Sequence, residues 1–171
     1  SAFRDYLRKT GASISFDDEL LTGPQSPLAQ PYPYDGQTIG NRFAILPVEG
    51  WDGDAEGKPT ELTMRRWRRF GESGAKLIFG GEAVAPMVEG RSNPRGLVLT
   101  AANEGDFADL LHGLIAAHAE RFSATQDLMT GIQLSHAGRF SRPFADGQRR
   151  PSVRGKGIVW RIWWSPHIQV T

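Results

Sequence analysis

One segment near residue 130 has residue types that suit chemistry at the end of a strand. The β-rich run Met129 to Leu134 carries a single polar amide, Gln133, and the chain then turns through His136 and Arg139. A neutral amide can stabilise negative charge that develops on a bound ligand, and a histidine after a strand can act as an acid, a base or a ligand. For His136 and Arg139, hydrogen bonding within the protein and direct ligand contact both remain open.

The elements that must position this segment alternate along the chain. Apolar runs predict strands over 43–48, 76–80 and 129–134, and helical periodicity predicts helices over 60–73 and 103–121. The first strand is expected to be buried, and the second to be cut short by its two glycines, Gly80 and Gly81. Such alternation is typical of parallel strands joined by crossover helices. The pattern alone fits an open doubly wound sheet and a barrel equally well.

The two helices have different predicted faces. In the first, Leu62, Met64, Trp67 and Phe70 are expected to face the core, while its arginines largely face water as a solvated surface. In the second, His118 is interpreted as a residue on the flank of the helix. No Gly-x-Gly-x-x-Gly or Walker sequence is present, so the common nucleotide-binding versions of an open sheet lack support.

Composition limits the possible functions. The chain has 171 residues, whereas a closed (β/α)₈ barrel needs about 250. A net charge of +1 without a long block of like charge argues against a nucleic-acid partner, and no apolar run is long enough to span a membrane. The absence of cysteine excludes disulfides and thiolate chemistry, and the histidines lack metal-ligand spacing. We expect a cytoplasmic protein with a small-molecule substrate.

Three motifs in order resemble the Old Yellow Enzyme family, which comprises FMN-dependent NAD(P)H oxidoreductases built on a TIM barrel. They are the run Ile39 to Pro47, the stretch Gly71 to Pro86 that leads on to Gly90-Arg91, and the run Gly131 to Arg139. Each motif is weak alone, but the three stand in register at plausible spacings. The resemblance implies an α/β fold that is the N-terminal portion of a TIM (β/α)₈ barrel, about three β/α units, incomplete as given.

The resemblance also implies a set of cofactor-binding residues. In the family, the backbone at the end of the first strand holds the isoalloxazine ring, which implies contacts for Leu46, Pro47, Val48 and Glu49. Ala83 matches the small residue that packs against FMN, and Gln133 matches the glutamine that hydrogen-bonds the pyrimidine edge of the ring. Trp51 stands where relatives often have a tyrosine facing substrate, so it is expected to form a wall of the pocket.

The chain also departs from the family pattern. Glu49 stands where the family usually has a small residue, and its charge would oppose an anionic reduced flavin. The family's substrate-binding pair, proton-donor tyrosine and phosphate-binding loops have no counterpart, so no catalytic residue is assigned. We divide the chain into a lead-in (1–40), a partial FMN-binding barrel region (41–140) and a divergent tail (141–171).

Three functions follow as expectations. The first is part of an FMN-dependent oxidoreductase that passes a hydride from NAD(P)H through FMN to an electron-poor alkene or enone, with this chain alone inactive. The second is an inactive truncated product. The third is a non-enzymatic half-barrel module that assembles with another chain. Because an open parallel sheet exposes its edges, a homo-oligomer or aggregate is expected.

Overall fold

The computed structural model describes residues 1–150 and the short strand 161–163, so much of the predicted tail lies outside the described residues. In chain order its helices and strands are α1 (Ala2–Thr10), β1 (Tyr32–Tyr34), β2 (Gln37–Ile39), β3 (Ala44–Ile45), α2 (Glu61–Glu72), β4 (Leu77–Val84), α3 (Glu104–Phe122), β5 (Met129–Leu134) and β6 (Arg161–Trp163).

The main sheet has the strand order β3-β4-β5-β6. Strands β3, β4 and β5 are parallel neighbours, joined by the crossover helices α2 and α3, whereas β6 pairs antiparallel with β5. Strands β1 and β2 form a separate antiparallel hairpin. The predicted α/β alternation is therefore confirmed. Among the described residues the sheet ends at β3 and β6, so it does not close into a barrel.

The core lies between the sheet and the two crossover helices. Its buried members, drawn from α2, α3, β4 and the loop after β4, are Trp67, Ile78, Val84, Leu97, Phe107, Leu110 and Leu114. Helices α2 and α3 approach closely at Gly71, where an added Cβ would lie 2.2 Å from the carbonyl oxygen of Leu114. This close approach explains why a glycine occupies the last turn of an otherwise good helix.

The prediction for His118 was wrong, because this residue is fully buried where α3 meets α2. Its Nδ1 lies 2.9 Å from the carbonyl oxygen of Gly71, and its ring packs against Phe122 with centroids 4.9 Å apart. Burial of the ring lowers the pKa of His118, and Lys76 lowers it further, against the opposing effects of the Gly71 carbonyl and Asp127. The neutral imidazole is therefore part of the helix–helix contact.

The predicted core face of α2 also needs correction. Trp67 and Phe70 pack against the core as expected, but Leu62 and Met64 are exposed. Each helical residue turns about 100° from the last, so the neighbours on either side of the fully buried Thr63 are carried away from the sheet. Thr63, rather than the two apolar side chains, begins the buried face.

The first and second predicted strands both differ from expectation. Only Ala44–Ile45 of the range 43–48 forms a ladder, and Leu46 is 71% exposed rather than buried. Among the described residues, β3 pairs with a strand on one side only. Strand β4 continues past Gly80 and Gly81 to Val84, because a bulge there absorbs the irregularity: the pairing moves from Phe79 with Gly131 to Ala83 with Gln133.

Candidate functional site

The carboxyl ends of three parallel strands bring together residues that lie within the second and third motifs or directly after the first. Val48, just past β3, accepts a backbone hydrogen bond from the N–H of Ala83 at 3.3 Å, and Ala83 on β4 is the register partner of Gln133 on β5. Val48, Ala83 and Gln133 therefore follow one another across the sheet. In barrel enzymes this end of the strands is where ligands bind.

Ala83 and Gln133 differ in the surroundings of their side chains. Ala83 is 8% exposed, so a small side chain fills its space. Gln133 is half-buried, and within residues 1–150 its side-chain amide has no hydrogen-bond partner. Buried amides are ordinarily paired, so with respect to residues 1–150 this amide keeps its capacity to hydrogen-bond a ligand or water.

An ion triad, Asp52–Arg66–Glu82, lies beside this row. The guanidinium of Arg66 donates to both carboxylate oxygens of Asp52, from Nε to Oδ2 at 3.0 Å and from Nη2 to Oδ1 at 2.9 Å. Its Nη2 also donates to Oε2 of Glu82, which is only 1% exposed and sits in the β4 bulge. Arg66 was predicted to face water with the other arginines of α2; that was wrong for Arg66 and right for its three neighbours, which are exposed.

The charges of the triad shift one another's pKa values. Burial raises the pKa of Glu82, although Arg66 opposes the rise. Burial alone would also raise the pKa of Asp52, but its hydrogen bonds and ion pair with Arg66, together with the Thr63 hydroxyl, hold it below its usual value. The two carboxylates raise the pKa of Arg66 against the effect of burial. The guanidinium is thus the fixed cation between two carboxylates.

The turn after β3 is shaped by contacts with the triad. The N–H of Gly50 donates to Oε1 of Glu82 at 3.1 Å, and a Cβ on Gly50 would lie 2.1 Å from Nη2 of Arg66. The next residue, Trp51, adopts a left-handed backbone with φ of 52°. This conformation costs a non-glycine residue about 1–3 kcal/mol and persists only where the surroundings impose it.

The side chains of Glu49 and Trp51 contact each other at the rim of the row. The indole Nε1 of Trp51 donates to Oε2 of Glu49 at 2.9 Å, and the hydroxyl of Ser92 donates to the same oxygen. Trp51 is 55% exposed, and Leu46 and Val48 are also exposed. Beside the polar pair the turn therefore presents apolar surface, and Pro47 lies between its two aliphatic residues.

His136 and Arg139 make contacts within the protein. Nδ1 of His136 accepts a hydrogen bond from the N–H of Gly138 at 3.0 Å, and the ring lies so close to Gly90 that a Cβ there would be 2.8 Å from Cδ2. Arg139 is exposed, with its guanidinium 4.7 Å from the ring centroid of Phe140. Of the two interpretations left open for His136 and Arg139, the one in which they contact other parts of the protein is therefore supported by observed contacts.

Arg91 is a structural residue that the sequence indicated only as part of a motif. It is buried, and it donates to the carbonyl oxygens of Ala55, Pro94 and Pro143 at 3.1, 2.8 and 2.6 Å. These contacts tie the loops after β3, β4 and β5 together. Burial lowers the pKa of Arg91, opposed by the charges of Asp54 and Glu56.

A cavity of about 210 Å³ lies at the opposite end of the strands, between the β1–β2 hairpin and the start of β3 and β4. It is lined by Tyr32, Ile39, Asn41, Arg42, Phe43, Ala44 and Leu77. Ligand pockets usually have about 300–1,000 Å³, so this cavity is a weaker candidate than the row at the carboxyl ends. Among the described residues, no group of three or more histidines and carboxylates is arranged to hold a metal ion.

Within the described part of the chain, none of the helices has the length and apolar character needed to cross a bilayer. No protein-family model matches the sequence, and no curated protein matches it significantly. Solved structures do match. A 2-naphthoyl-CoA reductase in complex with 2-naphthoyl-CoA aligns with 68% of this chain at a TM-score of 0.57 and 14% identity.

Two further solved structures align with a similar share of the chain, and the first of them carries the family's name. The old yellow enzyme homologue from Zymomonas mobilis aligns with 66% of the chain at a TM-score of 0.52 and 22% identity. Morphinone reductase in complex with tetrahydroNAD aligns with 72% of it at a TM-score of 0.55 and 20% identity. The chain has an Old Yellow Enzyme-type fold.

This similarity confirms the predicted resemblance at the level of the fold. Old Yellow Enzyme homologues are TIM barrels, and the three parallel strands with their crossover helices are the part of that architecture described in this chain. The chain spans only 16%, 28% and 31% of the length of the three solved proteins. At these identities the similarity concerns the fold alone.

Proposed function

We propose that the chain forms the flavin-ring side of an FMN-dependent NAD(P)H oxidoreductase of the Old Yellow Enzyme type, as about the first three β/α units of its barrel. The observation that carries the proposal is the row formed by Val48, Ala83 and Gln133 at the carboxyl ends of adjacent parallel strands. The fold similarity supports it, because its solved neighbours include an old yellow enzyme homologue and a reductase bound to a nicotinamide analogue.

The residues of the row suit a flat ring that is apolar on its faces and polar at one edge. The side chain of Ala83 is too small to exclude a ring, and the amide of Gln133, unpaired within residues 1–150, can donate from Nε2 to a carbonyl oxygen at the pyrimidine edge. The backbone from Leu46 to Glu49 would lie against the ring, with Trp51 as a pocket wall. When bound, FMN supplies hydride transfer from NAD(P)H to an electron-poor alkene.

Glu49 is the residue that suits this cofactor least. A carboxylate near the ring disfavours the anionic reduced flavin, because like charges repel. The indole of Trp51 and the hydroxyl of Ser92 both donate to Glu49, and these donors stabilise its charge in place. We therefore propose that Glu49 lowers the redox potential of the bound flavin relative to a neutral residue.

A flavin titration of the purified chain tests the proposal. TIM-barrel enzymes commonly hold a ligand phosphate with loops after strands seven and eight, so ring contacts alone should bind FMN and riboflavin weakly and with equal affinity, within about twofold. Adenosine is the control, because it is aromatic but lacks the pyrimidine-dione edge. Isothermal titration calorimetry measures all three titrations.

Two results would contradict the proposal. If neither flavin bound at concentrations up to about 1 mM, corresponding to roughly 4 kcal/mol of binding free energy, the row would not be a flavin site. If adenosine bound as well as riboflavin, the site would not recognise the flavin edge. A yellow stoichiometric monomer that oxidised NADPH would contradict the expectation that this chain alone is inactive.

The exposed edge of β3 favours a second candidate, a half-barrel module that assembles with another chain or copy. Phe43, Leu46 and Val48 are exposed there, and β3 has a described neighbour on one side only. Unpaired strand edges promote association. Light scattering after size exclusion at several concentrations tests this candidate, and a monomer at every concentration would contradict it.

A further inference from the structure

We propose that the Asp52–Arg66–Glu82 triad is a positioning device for the turn from Glu49 to Asp52, which it holds with Trp51 in the left-handed conformation. Only the statement that this turn borders a flavin rests on the proposed function. The conformation of the turn does not, so it can be tested in the absence of any ligand.

The triad fixes the turn on both sides of Trp51. On one side the N–H of Gly50 donates to Oε1 of Glu82 at 3.1 Å. On the other side both carboxylate oxygens of Asp52 accept from Arg66, and the Asp52 carbonyl oxygen accepts from the hydroxyls of Thr60 at 2.5 Å and Thr63 at 3.2 Å. Because Gly50 and Asp52 are both held by hydrogen bonds, the backbone dihedral angles of Trp51 are restricted to values that connect these two positions.

The contact between Gly50 and Arg66 makes the arrangement specific. The 2.1 Å separation between a Cβ built on Gly50 and Nη2 of Arg66 means that the turn lies directly on the guanidinium. The planar fork of an arginine can bind two carboxylates at fixed angles, whereas a lysine ammonium cannot reproduce that geometry. The three elements that meet at Arg66 are therefore locked in one relative arrangement: the turn, the β4 bulge and α2.

Two negative charges share one positive charge in this triad. Buried ion pairs rarely add stability over apolar packing of the same volume, so the arrangement is better explained by geometry than by stability. Its geometric consequence is local. Because Trp51 Nε1 donates to Glu49, a fixed backbone at Trp51 also fixes the indole and the carboxylate at the rim of the row. We infer that Arg66 and Glu82 are positioning residues for Glu49 and Trp51.

Amide hydrogen exchange measured by NMR on the full chain tests the proposal. Arg66→Lys keeps the charge but removes the fork, and we expect exchange of the Gly50 amide to rise about tenfold or more, with a shift of the Trp51 indole resonance. The amides of β5 should be unchanged. Arg69→Lys is the matched control, because Arg69 makes an exposed pair with Glu72 on the same helix and should alter neither signal.

Two outcomes would overturn the proposal. One is an unchanged Gly50 amide and Trp51 indole in Arg66→Lys. The other is a rise in exchange that is equal at Gly50 and throughout β5, which would indicate a general loss of stability. If Arg66→Lys does not fold, Glu82→Gln answers the same question: it keeps an oxygen that can accept from Gly50 but removes the charge that binds Arg66, and should shift the Trp51 indole.

A riboflavin titration of the same variants separates this proposal from the proposed function. Arg66→Lys should weaken riboflavin binding about fivefold through the turn, whereas Gln133→Leu should weaken it without changing exchange at Gly50. If riboflavin does not bind the wild-type chain, the proposed function fails and the exchange result alone decides the role of the triad. If Gly50 exchange rises and riboflavin affinity does not change, the turn is positioned by the triad but does not border the flavin.

Discussion

The helix layer and the free side of β3 differ in how completely they are packed. Between α2 and α3, Leu114 is fully buried, Gly71 lies against its carbonyl, and His118 is hydrogen-bonded to Gly71. At the β3 edge of the sheet, Leu46 and Val48 are exposed, and β3 itself is only partly buried. The helix layer is thus closely packed within the described residues, whereas β3 has no strand partner on its other side among them.

The largest expected difference between the two regions comes from leucine truncation. Leu114→Ala should destabilise the fold by about 2–5 kcal/mol, because it leaves a cavity in the core. The same change at Leu46, which is mostly exposed, should alter stability by less than about 0.5 kcal/mol. Urea denaturation measures both, and similar losses for the two variants would mean that the β3 edge is covered in solution.

The second comparison uses two helical glycines. Gly71→Ala should lower the free energy of unfolding by about 1–3 kcal/mol, because its Cβ meets the Leu114 carbonyl at 2.2 Å. At Gly113 on α3 the nearest atom to a Cβ is 3.9 Å away, so Gly113→Ala should stabilise by about 0.5–1 kcal/mol through helix propensity. Thermal melts of both variants check the opposite signs, and stabilisation by Gly71→Ala would contradict the observed helix approach.

The sequence predicted the bounds of the helices and strands better than it predicted which of their residues are covered by other elements. Strand β5 was predicted at its observed bounds. Helix α3 was predicted within one residue at each end, because a long amphipathic repeat carries its own signal. The exposure of Leu46 could not be predicted, since an apolar run is the same whether or not a neighbouring strand covers it. The residues assigned to the flavin site depended on the family resemblance rather than on periodicity.

The ion triad could not be predicted for a different reason. Arg66 lies fourteen residues from Asp52 and sixteen from Glu82, so no local pattern connects them. Four arginines in α2 look alike in the sequence, and only their angle around the helix axis separates Arg66 from the others. One signal was present: Arg66 follows the buried Thr63 by three residues, which places both on one side of the helix.

A smaller effect is expected from the buried His118, whose contribution to the free energy of unfolding should change with pH. The pKa of His118 is lowered in the folded state, so the unfolded chain takes up its proton first as the pH falls. The stabilising contribution is complete above the ordinary pKa of 6.5 and is lost as the pH falls from there through the lowered value. Unfolding in urea at about pH 7.5 and about pH 5.5 measures this loss.

Two variants on α3 assign the pH effect to one side chain. His118→Asn keeps a donor for the Gly71 carbonyl but cannot titrate, so its stability should depend less on pH than that of the wild type. His112→Asn removes an exposed histidine from the same helix and should leave the wild-type pH dependence intact. Equal pH dependence in all three proteins would show that His118 is not the group responsible.

The most direct test of the central claim, that the row at the carboxyl ends of the strands binds a flavin ring, is riboflavin affinity in Gln133→Leu. Loss of one hydrogen bond from the amide to the ring should weaken binding about tenfold. Gln37→Leu makes the same chemical change on the exposed β1–β2 hairpin, near the opposite end of the strands, and should bind riboflavin as the wild type does. Unchanged affinity in Gln133→Leu, or an equal loss in both variants, would contradict the claim.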